Sequence, residues 1–238
     1  MKSVAELRIQ IFADGANLGE IANLTTNPLI QGFTTNPTLM RQAGVDDYAG
    51  FAKDMLALVG DRPVSFEVFA DDFDDMQRQA MEIASWGDNV FVKIPITNTK
   101  GEASAPLVER LMGEGVSVNV TAIMTIDQVR DTAAVLDNGV PAVVSVFAGR
   151  IADTGVDPVP VMAECRDILA DNPAAQLLWG SPREVLNVYH AEEAGCDIIT
   201  VTHGLLAKLD AIGKDLGDFS LDTVKMFYSD GLAAGYRL

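Results

Sequence analysis

The stretch Val90-Phe91-Val92-Lys93-Ile94-Pro95-Ile96 sets one lysine in the middle of a short apolar run rich in β-branched residues. A run of this length reads as a buried strand. Of the seven lysines in the chain only Lys93 lies in such a run. Lys2 is terminal, Lys100 follows Asn98-Thr99 in a turn-like segment, and Lys53, Lys208, Lys214 and Lys225 fall on segments that read as helix surface. Burial disfavours the ammonium form, so a strand lysine keeps some neutral, nucleophilic population. An amine needs that population to attack a carbonyl and form a Schiff base. The alternative is a packed stem whose ammonium reaches solvent or meets a carboxylate. Both readings stand on this stretch alone.

Outward from this strand, the chain alternates strand-like and helix-like patterns from end to end. The expected strands are 9–13, 33–35, 64–69, 90–96, 116–122, 142–147, 175–179 and 198–202. Helical periodicity falls at 46–59, 72–85, 105–113, 125–136, 158–170, 182–194 and 204–212. Eight βα units with no linker predict a parallel sheet, and eight is the number that closes a barrel. The expected fold is therefore α/β, a (β/α)8 TIM barrel, with a doubly wound open sheet as the alternative. A single domain is expected over 1–238, the barrel at about 8–213 and a C-terminal helical extension at about 214–238. Within that extension 219–228 reads as a short amphipathic helix with Leu221, Val224 and Phe227 on one side.

Strand parity carries the functional reading, because successive side chains face opposite sides of a sheet. One parity is apolar throughout: Ile9, Ile11 and Ala13; Val64, Phe66 and Val68; Val90, Val92, Ile94 and Ile96, and so on along the chain. That face is expected to meet the helices. The other parity carries Gln10, Asp14, Ser65, Glu67, Lys93, Ser117, Asn119, Thr121, Ser145, Thr200 and Thr202. In a closed sheet these converge on one lumen, the later ones near the carboxyl ends of the strands, where barrel active sites lie. Polar groups in such an interior pair with one another or do chemistry.

The composition narrows the function classes. A formal net charge of −17 argues against nucleic acid, whose phosphates need clustered Lys and Arg. No apolar run approaches the ~18 residues of a membrane span, and residues 1–10 have no secretory h-region. Cys165 and Cys196 cannot build a disulfide framework; they fit a reducing, cytoplasmic setting as small core residues. His190 and His203 fall on two different expected helices, which argues against a metal site. Neither a dinucleotide fingerprint nor a P-loop occurs. A tetrapeptide recurs nine residues apart, Thr25-Thr26-Asn27-Pro28 and Thr34-Thr35-Asn36-Pro37. The second copy fits the end of strand two and the first a loop.

With the Phe33-Thr34-Thr35-Asn36-Pro37 element, the Val92-Lys93-Ile94-Pro95 strand and Phe147-Ala148-Gly149-Arg150-Ile151 in this order, the chain resembles the transaldolase family, particularly its short branch that includes the fructose 6-phosphate aldolases. The likeness runs over about residues 11–208. It implies a class I aldolase barrel, metal-free and without a cofactor, working through a Schiff base on sugar phosphates in carbohydrate metabolism of the pentose phosphate kind. By the resemblance, Lys93 is the Schiff-base lysine and Asp14 the carboxylate that handles the proton of the sugar C4 hydroxyl. Glu67 and Thr121 are the pair that holds a catalytic water. Thr34, Asn36, Asn119, Ser145 and Phe147 match substrate-binding positions, and Arg150 matches a phosphate-binding arginine. Short members of the family assemble, so a homo-oligomer is expected. The fructose 6-phosphate aldolases typically have glutamine and tyrosine where this chain has Glu67 and Phe147; transaldolases have glutamate and phenylalanine.

One departure stands out. Family members carry Ser-Phe-Arg or Ser-Phe-Lys at the end of strand seven, and this chain has Leu178-Trp179-Gly180, then Ser181-Pro182-Arg183. The second phosphate-binding cation is missing from its usual place; Arg183, expected on the first turn of a helix, is the candidate to stand in. The expected activity is transfer of a dihydroxyacetone unit. Fructose 6-phosphate aldolase-type cleavage and a sugar-phosphate-binding barrel without turnover are the alternatives.

Overall fold

A computed structural model describes residues 3–137 and 139–237. Met1, Lys2, Asn138 and Leu238, which the expected domain includes, lie outside the described residues. Eight parallel strands close into a barrel in sequence order: β1 (Gln10–Asp14), β2 (Ile30–Thr34), β3 (Val64–Glu67), β4 (Val90–Pro95), β5 (Val118–Ile123), β6 (Ala142–Val146), β7 (Ala175–Trp179) and β8 (Ile198–Thr202). The helices are α1 (Leu18–Leu24), α2 (Pro37–Gln42), α3 (Tyr48–Val59), α4 (Phe73–Ala84), α5 (Ala105–Gly113), α6 (Ile126–Ala133), α7 (Ala148–Asp153), α8 (Pro158–Ile168), α9 (Leu186–Glu193), α10 (His203–Leu206) and α11 (Leu216–Ala233). The closed sheet settles the choice between barrel and open sheet. None of the helices described is long and apolar enough to cross a membrane.

The apolar parity forms the layer between strands and helices, with Val64, Phe66, Val92, Ile94, Val118, Val144, Leu177 and Ile199 sealed from solvent. Near-continuous apolar strands are what a sheet covered on both faces requires. The lumen has two levels. Phe12, Val143, Leu178 and Ile198, with Phe91 against them, make a separate apolar cluster, so the lower lumen is filled with side chains. The polar residues of the same parity stack above it. Gln10 and Ser117 lie at the amino ends of their strands, away from this polar level, in two separate surface clefts.

The differences from the expected boundaries have local causes. Strand β2 begins at Ile30 because Ile30 and Gly32 pair with Ile11 and Phe12 of β1 across a register shift that skips Gln31; a Cβ on Gly32 would meet the Phe12 ring, so the glycine makes room for the lower plug. Strand β5 carries a register shift between Val120 and Ile123, with Ala122 at φ 63°. Such a bulge bends a strand and re-aims its neighbours. The helix expected over 182–194 starts only at Leu186, because the amides of Arg183 and Glu184 are taken by the Asn187 side chain at 2.7 and 3.2 Å. Arg183 is thus a loop residue. Short helices α1, α2 and α7 interrupt segments that carried no periodicity. The expected 219–228 helix is eighteen residues long, and none of it is buried.

Candidate active site

At the carboxyl ends of the strands a cavity of about 540 Å³ is lined by Asn36, Glu67, Lys93, Thr121, Phe147 and Arg150 together with Thr38, Leu39, Gln42, Ala122, Ser181 and Arg183. The register of the sheet sets its floor, pairing Glu67 on β3 with Lys93 on β4 and Lys93 with Asn119 on β5. Lys93 is 6% exposed. Its Nζ sits 3.2 Å from Glu67 Oε2 and donates to the backbone carbonyl of Thr35 at 2.9 Å. Two charges held this far out of water are stable only with partners. Lys93 has a carboxylate and a carbonyl dipole, and among the described residues no further acceptor meets its third N–H.

Asp14, last residue of β1, accepts from the Thr34 hydroxyl at 2.8 Å, and that hydroxyl lies 2.5 Å from the Thr200 hydroxyl. Burial pushes the Asp14 carboxyl above the ordinary carboxylate range; the Lys93 ammonium and the Thr34 hydrogen bond pull it back, and the Glu67 charge adds to the rise. A carboxyl so placed carries a proton at higher pH than an exposed aspartate, which suits a group that gives and takes one. Thr121 Oγ1 is buried and has no hydrogen-bond partner, although its residue lines the cavity. An orphaned hydroxyl beside an ion pair is the kind of group that an ordered water satisfies.

The remaining residues singled out in the sequence divide in two. Asn119 and Ser145 are buried and do not line the cavity: the Ser145 hydroxyl donates to Asn119 Oδ1 at 2.7 Å and Asn119 Nδ2 donates to Ser65 Oγ at 2.9 Å. They form a satisfied polar layer. Asn36 lines the cavity while its Oδ1 caps α2, accepting from the Leu39 amide at 3.0 Å with Pro37 in the first turn. Thr202 is exposed at the end of β8.

The rim is built from α7 and the loop after β7. Arg150 is exposed, its guanidinium 5.6 Å from the centroid of the Phe147 ring, and no ion pair to it forms among the described residues. Arg183 reaches the same rim and is bound by Asp153, Nε donating to Oδ1 at 3.0 Å and a second contact closing the fork. The departure at the end of β7 has a steric meaning: a Cβ at Gly149 would collide with the Ser181 carbonyl and one at Gly180 with Phe147 and the Val146 carbonyl. The two glycines let loop and helix close on each other, with Ser181 at φ 60° completing the turn.

Sequence reasoning missed Tyr48, the Thr35 carbonyl and the α2 residues Thr38, Leu39 and Gln42. The Tyr48 hydroxyl donates to the Glu67 carbonyl at 2.8 Å and accepts from the Glu67 amide at 2.9 Å. Burial holds this phenol above its usual range, so it stays protonated. A lone tyrosine at a helix start carries no signal of such a role.

Comparisons with known proteins identify a family and a fold. A family model described as Transaldolase/Fructose-6-phosphate aldolase matches residues 11–230. A "Probable transaldolase" of Methanococcus maripaludis is 32% identical over 223 residues, 90% of this chain and 99% of the relative. Another of Dehalococcoides mccartyi is 33% identical over 202 residues, 84% and 90% of the two chains. Among solved structures, the tetrameric deoxyribose phosphate aldolase from Aeropyrum pernix superposes with a TM-score of 0.58 at 14% identity, covering 90% of this chain and 94% of that one. At that identity the likeness concerns the barrel alone.

Proposed function

We propose, from the premise that this chain belongs to the transaldolase/fructose-6-phosphate aldolase family, that it transfers a dihydroxyacetone unit between sugar phosphates through a Schiff base on Lys93. The observation that carries the reading is the nearly buried Lys93 amine, 3.2 Å from the Glu67 carboxylate and facing a cavity with the orphaned Thr121 hydroxyl. In this reading Lys93 passes a proton to Glu67 and its lone pair attacks the ketose C2. Water held between Glu67 and Thr121 shuttles the protons by which the carbinolamine loses its hydroxyl and becomes an iminium. Asp14 removes the C4 hydroxyl proton, the C3–C4 bond electrons move into the iminium, and an aldose phosphate leaves. The enamine on Lys93 then attacks a second aldehyde, Asp14 returns its proton to the new alkoxide, and water releases the product ketose. The iminium is the electron sink, so the proposed cycle needs neither metal nor cofactor. Arg150 binds the substrate phosphate from the rim. The test is borohydride trapping with fructose 6-phosphate: a mass increment for one dihydroxyacetone unit mapped to Lys93 supports the reading, and no adduct on Lys93 removes it.

The proposed enzyme works as a homo-oligomer in the cytoplasm. Helix α11 leaves Leu216, Phe219, Leu221, Val224, Phe227 and Tyr228 about half exposed or more, and large apolar side chains grouped in this way on one helix mark an interaction surface. Light scattering at micromolar concentration is expected to give a multiple of 25.5 kDa; the mass of one chain overturns this.

A further inference from the structure

The ladder between β2 and β3 stops early, and the way it stops ties Tyr48 to the lysine. Phe33 donates to the Pro63 carbonyl and Thr35 donates to the Ser65 carbonyl, at 2.9 and 3.1 Å. Continuing this parallel alternation, the next rungs would run from the Glu67 amide to the Thr35 carbonyl and from the amide of residue 37 to the Glu67 carbonyl. Neither forms. Residue 37 is proline and has no N–H to give, and the Thr35 carbonyl accepts from Lys93 Nζ instead. Glu67 is left with an amide and a carbonyl that both point at the gap, since its other neighbour β4 is served by Phe66 and Val68, the Val68 amide donating to the Lys93 carbonyl at 3.1 Å. Unpaired backbone groups at this depth are costly. One phenol fills the gap: the Tyr48 hydroxyl takes the Glu67 amide and gives to the Glu67 carbonyl.

We infer that Tyr48 is a positioning residue, whose hydroxyl stands in for the missing rungs of β2 and so frees the Thr35 carbonyl to hold the Lys93 amine while fixing the backbone that carries Glu67. The ring is set for this by packing alone, with Phe66, Phe69 and Trp86 at centroid distances of 6.4, 5.4 and 5.8 Å. Tyr48 does not line the cavity that holds Lys93, so its influence on the lysine passes through Glu67 and Thr35. Without it, the Glu67 amide regains a partner only if Thr35 turns its carbonyl back to the ladder and away from Lys93. The functional half of this inference rests on the reaction proposed above; the placement of the hydroxyl does not.

The full-length Tyr48→Phe variant separates the two, because it keeps the packed ring and removes only the hydroxyl. Amide exchange followed by NMR is expected to speed up about tenfold at Glu67, with the Val68 amide, which keeps its Lys93 partner, as the unchanged internal control. In the same preparation kcat for transfer from fructose 6-phosphate to erythrose 4-phosphate is expected to fall about tenfold with KM within about twofold of wild type, a split that a general loss of fold would not give. Exchange at Glu67 that stays at the wild-type rate overturns the placement, and an unchanged kcat overturns the positioning role. A wild type without turnover would remove the proposed reaction, and the exchange result alone would then uphold or overturn the placement.

Discussion

The floor and the rim of the cavity are held by different kinds of structure. On the floor, Lys93 and Glu67 are paired residues of adjacent strands; Asp14, outside the cavity lining itself, accepts from the Thr34 hydroxyl of β2, which in turn contacts the Thr200 hydroxyl of β8. Each side chain is nearly buried, partnered, and placed by the register of a closed sheet. On the rim, Arg150 rides on a helix of six residues and is exposed, and the Arg183 side chain, 47% exposed, is steered by a carboxylate on that same helix. In the proposed reaction a buried floor and an exposed rim divide the labour: bond-making needs fixed geometry, and recognition of a mobile phosphate needs charge within reach. Substitutions on the floor should therefore cost rate, and substitutions on the rim should cost affinity.

The largest effect is expected from Lys93→Arg. Guanidinium keeps the positive charge beside Glu67 but cannot act as the amine nucleophile. Turnover should fall below about a hundredth of wild type with the fold retained, as read by circular dichroism and steady-state rates. A variant faster than that would mean that the floor acts electrostatically rather than covalently.

Asp14→Asn comes next, with kcat expected to fall about a hundredfold, the range of a lost general acid–base group. It also carries a stability signature. Burial raises the Asp14 carboxyl, net of Lys93 and Thr34, so the folded chain holds that proton more readily than the unfolded one. A raised group contributes stability that is full below its unfolded value and lost as the pH rises through its folded value. At neutral pH the ionised side chain therefore costs stability, and asparagine removes the cost. The variant should melt above wild type at pH 7, and the margin should shrink towards about pH 4 as wild-type Asp14 takes up its proton. A margin that is constant with pH would show that Asp14 is not the titrating group.

The same division explains what could be read from the sequence. Parity along eight strands makes every floor residue visible, because Lys93, Glu67, Asp14 and Thr121 are polar positions in runs whose alternate residues are apolar. It does not separate the levels of the lumen: Asn119 and Ser145 share the parity of Lys93, yet they bond each other below the cavity. The rim obeys no periodicity. Arg183 reads as the first turn of a helix until the Asn187 side chain is seen taking its amide, and the six residues of α7 are too few to show a repeat. The Thr35 carbonyl is beyond any reading of side chains, since backbone is common to all residues; only the proline at position 37 hints that a rung is missing.

Arg150→Ala tests the rim directly. Removing an exposed, charge-assisted contact should raise KM for phosphorylated sugars about tenfold and leave KM for unphosphorylated ones nearly unchanged. The Asp153 carboxylate already occupies Arg183, which leaves Arg150 as the cation free to meet a dianion among those lining the cavity rim. Equal losses on both kinds of substrate would make Arg150 a structural support for the Phe147 ring that it covers.

The smallest effect is expected where floor and rim meet, at Phe147. Its ring lies against the Arg150 guanidinium on one side and lines the same cavity as Lys93. In the proposed reaction, the enamine left on Lys93 after cleavage either waits for an aldehyde or is protonated and hydrolysed. A phenyl ring has no proton to offer, so the enamine persists and transfer is favoured; a phenol at the same place could protonate the nucleophilic carbon and divert the unit to free dihydroxyacetone. Phe147→Tyr should therefore raise release of dihydroxyacetone from fructose 6-phosphate by about threefold to tenfold, which corresponds to only about 1 kcal/mol in the partition between the two fates. Transfer to erythrose 4-phosphate should fall in proportion, with KM for the donor unchanged because the substitution leaves Arg150, the proposed phosphate contact, in place. The measurement is the ratio of the two rates on one preparation, with and without acceptor. A wild type that releases dihydroxyacetone without acceptor as fast as it transfers with one, or a tyrosine variant with an unaltered ratio, would assign the fate of the enamine to some group other than this ring.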